Sequence, residues 1–98
     1  MAFYDNYDFE ILKNESEKLV IEELEKQLDT YIGDICRCET CTMDMAAMAL
    51  NTVKPLYRVS LLGTQYAAQA IKDPTYLFSL KKAVSKAVEK VRRNPAHD

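Results

Sequence analysis

Three cysteines stand close together, Cys36, Cys38 and Cys41, in the run CRCETC. The two-residue gap between Cys38 and Cys41 lets two thiolates grip one metal through a tight turn, and three soft donors in one turn suit zinc. A structural zinc site takes four donors. The remaining position falls to Asp44, to the lone His97, or to a group from a second subunit. The plain alternative is three thiols near a helix start, with Cys38 and Cys41 as a redox pair. Zinc is preferred, because nothing else in the chain resembles a thioredoxin-like unit.

Two further groups carry chemistry. Lys13, Asn14 and Glu17 share the start of KNESEKLVIEEL. Asn14 with Glu17 three positions on reads as a capping box, which by itself accounts for both. Tyr57 and Arg58 follow a proline, and an aromatic beside a guanidinium can stack on a base, although such a pair is also ordinary surface. Met43, Met45 and Met48 read as core. Catalysis finds no support. No serine stands with a base, His97 is alone near the terminus, and the two glycines, Gly33 and Gly63, do not make a phosphate-cradling loop. An enzyme is not expected.

The elements that must position these groups follow from periodicity. Residues 1–11 are aromatic and acidic without a clear period, and read as an arm that packs on a partner. Leu12, Leu19, Val20, Leu24, Leu28 and Tyr31 then mark an amphipathic helix, capped by Asn14 and stopped by Gly33. The cysteine segment reads as a turn. Thr42 is expected to cap a second helix with Asp44 in its first turn. That helix should be the buried one, because the run Met45–Leu50 is wholly apolar, and Asn51 and Pro55 close it. YRVSLL reads as a short strand or extended piece, and TQYAAQAIK as a short helix or second strand. Asp73 then Pro74 is a cap followed by proline at the first helical position. Leu77, Leu80, Val84, Ala87, Val88 and Val91 form the stripe of a last helix, with Lys82, Lys86, Lys90 and Arg93 on another face.

Ninety-eight residues, 48% apolar and 29% charged, allow one folded domain, 1–98, with 1–11 as its arm. So short a chain has a modest core and leans on a metal or a second subunit. A homodimer is therefore expected, formed through apolar faces such as Met45–Leu50. The net charge of −2 exerts no general pull on nucleic acid. Its distribution is uneven: residues 5–29 hold nine acids against three bases, and residues 81–98 hold six bases against two acids. No apolar run is long enough to span a membrane. The start, MAFYDNYDFE, has no basic leader with an apolar stretch, so no signal peptide is expected and the chain is placed in the cytoplasm.

The segment CRCETCTMDMAAMALNTVKPLY resembles the signature of the late competence protein ComFB family, in which a short cysteine cluster runs into a helix ending in A-L-N and then P-x-Y. The likeness extends back through KNESEKLVIEELEKQ and forward through AVSKAVEKVRRNP, covering roughly residues 12–95. The K-N-x-x-E-x-L-V-x-E-E and A-L-N-x-x-x-P-L-Y pieces are similar to a cyanobacterial-type branch associated with binding cyclic di-GMP. The cysteines are similar to the zinc-binding branch of competence operons, which uses four; three stand here.

The resemblance implies a small, mainly α-helical domain of three to four helices, with at most one short strand pair, acting as a homodimer. It implies a cyclic di-GMP receptor that passes its signal to another protein. Arginine can bond guanine O6 and N7, a carboxylate can accept from the guanine N–H edge, and an aromatic can stack. Lys13, Asn14, Glu17, Tyr57, Arg58, Arg92 and Arg93 are the ligand-binding set on this reading, and Cys36, Cys38 and Cys41 the metal set. The runner-up is a zinc-stapled interaction module without a nucleotide site. A DNA-binding regulator rests only on the basic last helix, and the acidic first half argues against it.

Overall fold

A computed structural model describes residues 2–95. Four helices carry the chain: α1 (Glu15–Thr30), α2 (Glu39–Leu50), α3 (Leu61–Ile71) and α4 (Pro74–Arg93). One antiparallel pair joins β1 (Lys13–Asn14) to β2 (Tyr57–Arg58). The small, mainly α class expected from the sequence is the class observed.

α1, α2 and α4 form the core. Val20, Leu24 and Leu28 of α1 meet Cys41, Met45 and Ala49 of α2 and Leu80, Val84, Val88 and Val91 of α4, all buried. Each fully buried aliphatic side chain stabilises the fold by roughly 1.5–3 kcal/mol. α4 starts as its sequence dictates. Asp73 accepts a hydrogen bond from the Thr75 amide at 2.9 Å, and Pro74 occupies the first helical turn.

Several local expectations are corrected. α1 ends at Thr30, not at Gly33. Tyr31 turns extended at φ −65°, ψ 129°, and Gly33 then takes φ +118°, a conformation that favours glycine. α2 begins four residues earlier than expected. Its cap is Cys38, whose sulfur accepts from the Cys41 amide at 3.4 Å, so Thr42 lies inside the helix and bonds back to the Cys38 carbonyl. Only one face of α2 is buried, and Met43, read as core, is 64% exposed. The run Met45–Leu50 is used within the chain: Met45 and Ala49 are buried, and Ala46, Met48 and Leu50 pack against the core. Leu61 and Leu62, read as strand, open α3 behind the Ser60 cap. The partner of β2 is the segment ahead of α1, not residues 64–72.

Candidate functional site

The first candidate site is the cysteine cluster. Cys38 caps α2, Cys41 lies in its first turn, and Cys36 sits in the preceding loop. Their sulfur atoms all lie within 4.8 Å of one another, with Cys41 buried, Cys36 half-buried and Cys38 exposed. Thiolates on a tetrahedral zinc at about 2.3 Å stand roughly 3.8 Å apart, so the sulfurs need draw in by about 1 Å at most. The donor set therefore fits a metal ion such as zinc. Three thiolates on a divalent ion leave one negative charge, which the N-terminal end of the α2 dipole favours. The loop leading in is held separately, since Arg37 donates from Nη2 to the Leu28 carbonyl at 2.7 Å. Among the described residues the cluster holds the three cysteines alone. Asp44, one of the expected fourth donors, is not part of it. His97, the other, lies outside the described residues.

The second candidate site is built by the short strand pair. Asn14 caps α1, but its side chain does more than close a helix. Its Oδ1 accepts from the Ser16 amide at 3.2 Å, from the Ser16 hydroxyl at 2.7 Å, and from the Leu56 amide at 2.7 Å. The Glu15 amide in turn donates to the Leu56 carbonyl at 2.9 Å. Ser16 and Leu56 are each 1% exposed. The cap thus clamps residues 56–58 onto the head of α1, from 42 positions away. It engages the second helical residue, Ser16, and leaves Glu17 exposed in the lining of a cleft instead of completing the expected capping box.

This clamp sets Lys13 directly opposite Arg58. Cross-strand neighbours share a face, and like charges there repel unless an anion lies between or beside them. Glu15 supplies part of that charge, accepting from Arg58 Nε. Gly63, in the first turn of α3, makes the approach possible. A Cβ there would lie 3.2 Å from Cα and Cβ of Arg58. The resulting cleft has a volume of about 570 Å³ and includes Lys13, Asn14, Glu15, Glu17, Lys18 and Arg58 in its walls. Its size falls in the range of small-molecule sites. Its charge is mixed, and Glu10 and Glu22 add to the acidic side.

The structure places the expected ligand set in two regions. Lys13, Asn14, Glu17 and Arg58 line the one cleft. Tyr57 sits beside them in β2 opposite Asn14, 57% exposed and outside the cleft lining. Arg92 and Arg93 end α4, at the far end of α1. Arg92 donates through Nε and Nη2 to Glu89 at 3.1 and 2.9 Å, and Glu89 accepts from the Tyr31 hydroxyl at 3.0 Å. Arg92 and the Tyr31 hydroxyl hold the Glu89 carboxyl below its usual range. Partial burial and Glu89 push Tyr31 up. Tyr31 follows the last residue of α1 and Asn14 precedes the first, so about 24 Å of helix separates the two groups. Glu15 and Gly63 were missed by sequence reasoning, because their roles exist only once β2 lies against α1.

The fold and these sites define a small helical domain that carries a cluster of three cysteines at one helix start and a polar cleft at another. The profile of the late competence development protein ComFB family matches residues 13–95, and the chain belongs to that family. A solved structure of the late competence protein ComFB from Bacillus subtilis has a similar fold, with a TM-score of 0.67 and 24% identity over 87% of this chain and 94% of that one. No curated protein matches the sequence significantly. No helix among the described residues is long and apolar enough to cross a membrane.

Proposed function

We propose that this chain is a non-catalytic cytoplasmic receptor for a cyclic dinucleotide, cyclic di-GMP, and that it signals by binding another protein. The observation that carries the reading is the cleft in which β1–β2 pairing sets Lys13 against Arg58 beside the free carboxylate of Glu17. A simple phosphate site has little use for carboxylates. A guanine nucleotide uses both signs, since its phosphates and its O6/N7 edge take cations while its N–H edge takes a carboxylate. On this reading Arg58 and Lys13 hold phosphate or guanine, and Glu17 orients a base, with Tyr57 at the rim as a stacking surface. Arg92 and Arg93 can join that ligand only across two copies of the chain.

The surface for the signalling partner is α3. Residues 59–71 carry no charge, and Leu61 and Leu62 are 75% and 76% exposed. Charge-depleted apolar patches of this kind mark protein interfaces. The first turn of α3 rests on Arg58 through Gly63, so ligand and partner would meet across one contact.

Titration calorimetry with cyclic di-GMP tests the receptor reading. Saturable binding at one ligand per chain or fewer is expected; no heat at high micromolar ligand rejects it. Glu17→Gln separates the two roles of that side chain. If Glu17 meets the ligand, affinity falls while the melting temperature stays put, because the cap is made by Asn14 alone.

The cysteine geometry favours a second reading, that of a zinc-stapled interaction module. Protein purified without added metal is expected to carry close to one zinc per chain. A chelator is then expected to lower the melting temperature, because metal binding and folding are linked. Freely titratable thiols and no metal would exclude the zinc site without touching the nucleotide reading.

A further inference from the structure

A groove of about 510 Å³ runs between the C-terminal half of α2 and α4. Its floor includes Met48, Ala83 and Ala87, its rim includes Lys82, Lys86 and Lys90, and no acid lines it. The three lysines recur one turn apart and span about 12 Å of helix. Among the described residues, none of them is paired with a carboxylate; the ion pairs are Arg58–Glu15 and Arg92–Glu89. Like charges spaced this way on one helix destabilise it modestly, and acids set against them would relieve that.

Thr52 and Ser79 line this groove and also a second cleft, of about 640 Å³, to which α3 supplies a wall. The apolar and aromatic residues of that cleft are Val53, Leu56, Tyr66, Ala70 and Tyr76. Tyr76 is fixed through its hydroxyl, which donates to the Lys54 carbonyl at 2.9 Å, and the Lys54 ammonium lies 5.8 Å from the centre of the Tyr66 ring. Asp73, the one acid in the lining, is engaged as the cap of α4. Groove and cleft together make a trough along α4 from Thr75 to Lys90, about 22 Å or four helical turns long. One half of it is aromatic and the other half is basic.

We propose that this trough docks an acidic amphipathic helix of a partner protein. Carboxylates four residues apart on that helix face Lys82, Lys86 and Lys90, and an aromatic or aliphatic residue beyond them seats between Tyr66 and Tyr76. The spacing favours a helix, because acids at every fourth position repeat at about 6 Å, the rise between successive lysines here. Helices that dock in grooves are read in this way, by side chains one turn apart. A nucleic acid would use the lysines but leave Met48, Ala83 and Val53 idle, and the net charge of −2 opposes it. The proposal deepens the partner surface assigned to α3 and rests on that reading for the wall they share. Leu62, 76% exposed, stands one turn before Tyr66 on the same side of α3. Leu56 links the trough to the nucleotide cleft, since it lines the trough while Asn14 holds its amide.

Fluorescence anisotropy with a labelled, helix-stabilised peptide tests the proposal. The probe carries three glutamates four residues apart and a tryptophan about two turns beyond them. Saturable binding to the wild type is expected without any nucleotide. K82E/K86E/K90E is expected to weaken it at least roughly tenfold, and Y66A by a similar factor. A probe with lysines in place of the glutamates is expected to bind K82E/K86E/K90E and not the wild type. Circular dichroism checks that each variant folds. No saturation of the wild type at high micromolar probe, equal binding of a probe whose glutamates are moved out of register, or unchanged binding by the folded lysine variant would each overturn the proposal. A short duplex DNA that binds the wild type more tightly than the probe would overturn it in favour of nucleic acid. Calorimetry with cyclic di-GMP separates this reading from the receptor reading. None of the three lysines lines the nucleotide cleft, so K82E/K86E/K90E is expected to keep its nucleotide affinity. Probe binding without nucleotide binding would sink the receptor reading alone, and nucleotide binding without probe binding would sink the docked helix alone.

Discussion

Replacing Asn14 with alanine is expected to lower the melting temperature by roughly 12–24 °C, a large effect for one polar side chain. The estimate builds from the bonds. Loss of an N-cap costs about 1 kcal/mol. The same change strands the Leu56 amide and the hydroxyl of the buried Ser16, and each stranded buried donor costs roughly 1–3 kcal/mol. Taken at the low end of each, the three contributions come to about 3 kcal/mol, which at about 4–8 °C per kcal/mol for a domain of this size is roughly 12–24 °C. Asn14→Asp is expected to recover most of the loss, because a carboxylate oxygen accepts the same bonds and suits the helix N-terminus. Thermal unfolding followed by circular dichroism decides the matter. A shift below about 4 °C for the alanine variant would mean that water replaces the clamp. The aspartate variant also isolates any direct role in ligand binding, since only the amide nitrogen of Asn14 is left to meet a ligand.

Arg58→Ala is expected to weaken cyclic di-GMP binding tenfold or more. A hydrogen bond to a charged group contributes roughly 1.5–3 kcal/mol, and about 1.4 kcal/mol is a factor of ten. Stability should change much less. Arg58 and Glu15 side chains keep 35% and 24% of their exposure, and ion pairs that are this wet contribute up to about 1 kcal/mol. Arg58→Lys keeps the charge but loses the planar fork, so it is expected to bind between wild type and alanine. Arg92→Ala is the informative companion. Its guanidinium is already held by Glu89 at the other end of α1. Affinity unchanged within about twofold marks the cleft of one chain as the whole site. A tenfold loss there places the ligand across two copies. Calorimetry on the three variants reads all of these outcomes, and full affinity in Arg58→Ala removes Arg58 from the site.

The helices that pack the core were legible because their determinants are local. Asp73 and Pro74 mark the start of α4, and a 3.6-residue stripe from Leu80 to Val91 marks the face it buries. Asn14 was legible as the cap of α1 for the same reason, and the cysteines were legible as a cluster because six residues of chain cannot carry them far apart. Boundaries were less legible where two caps competed. Thr42 is the better cap by residue type, yet Cys38 takes the role because Arg37 and the core contact of Cys41 set where the chain turns into α2.

What the sequence by itself determined is thus the family, the helical class, the apolar stripes and the metal-ligand spacing, each written in residues a few positions apart. The cleft belongs to the tertiary structure. Lys13 and Arg58 become neighbours only because a single oxygen of Asn14 binds the amide of Leu56. Gly63 matters only because α3 passes against Arg58 there. The separation of Arg92 from that cleft and the exposed charge-free face of α3 were equally invisible. Periodicity reports which face of an element is apolar, but which elements lie side by side is settled by long-range packing and hydrogen bonds that no local pattern encodes.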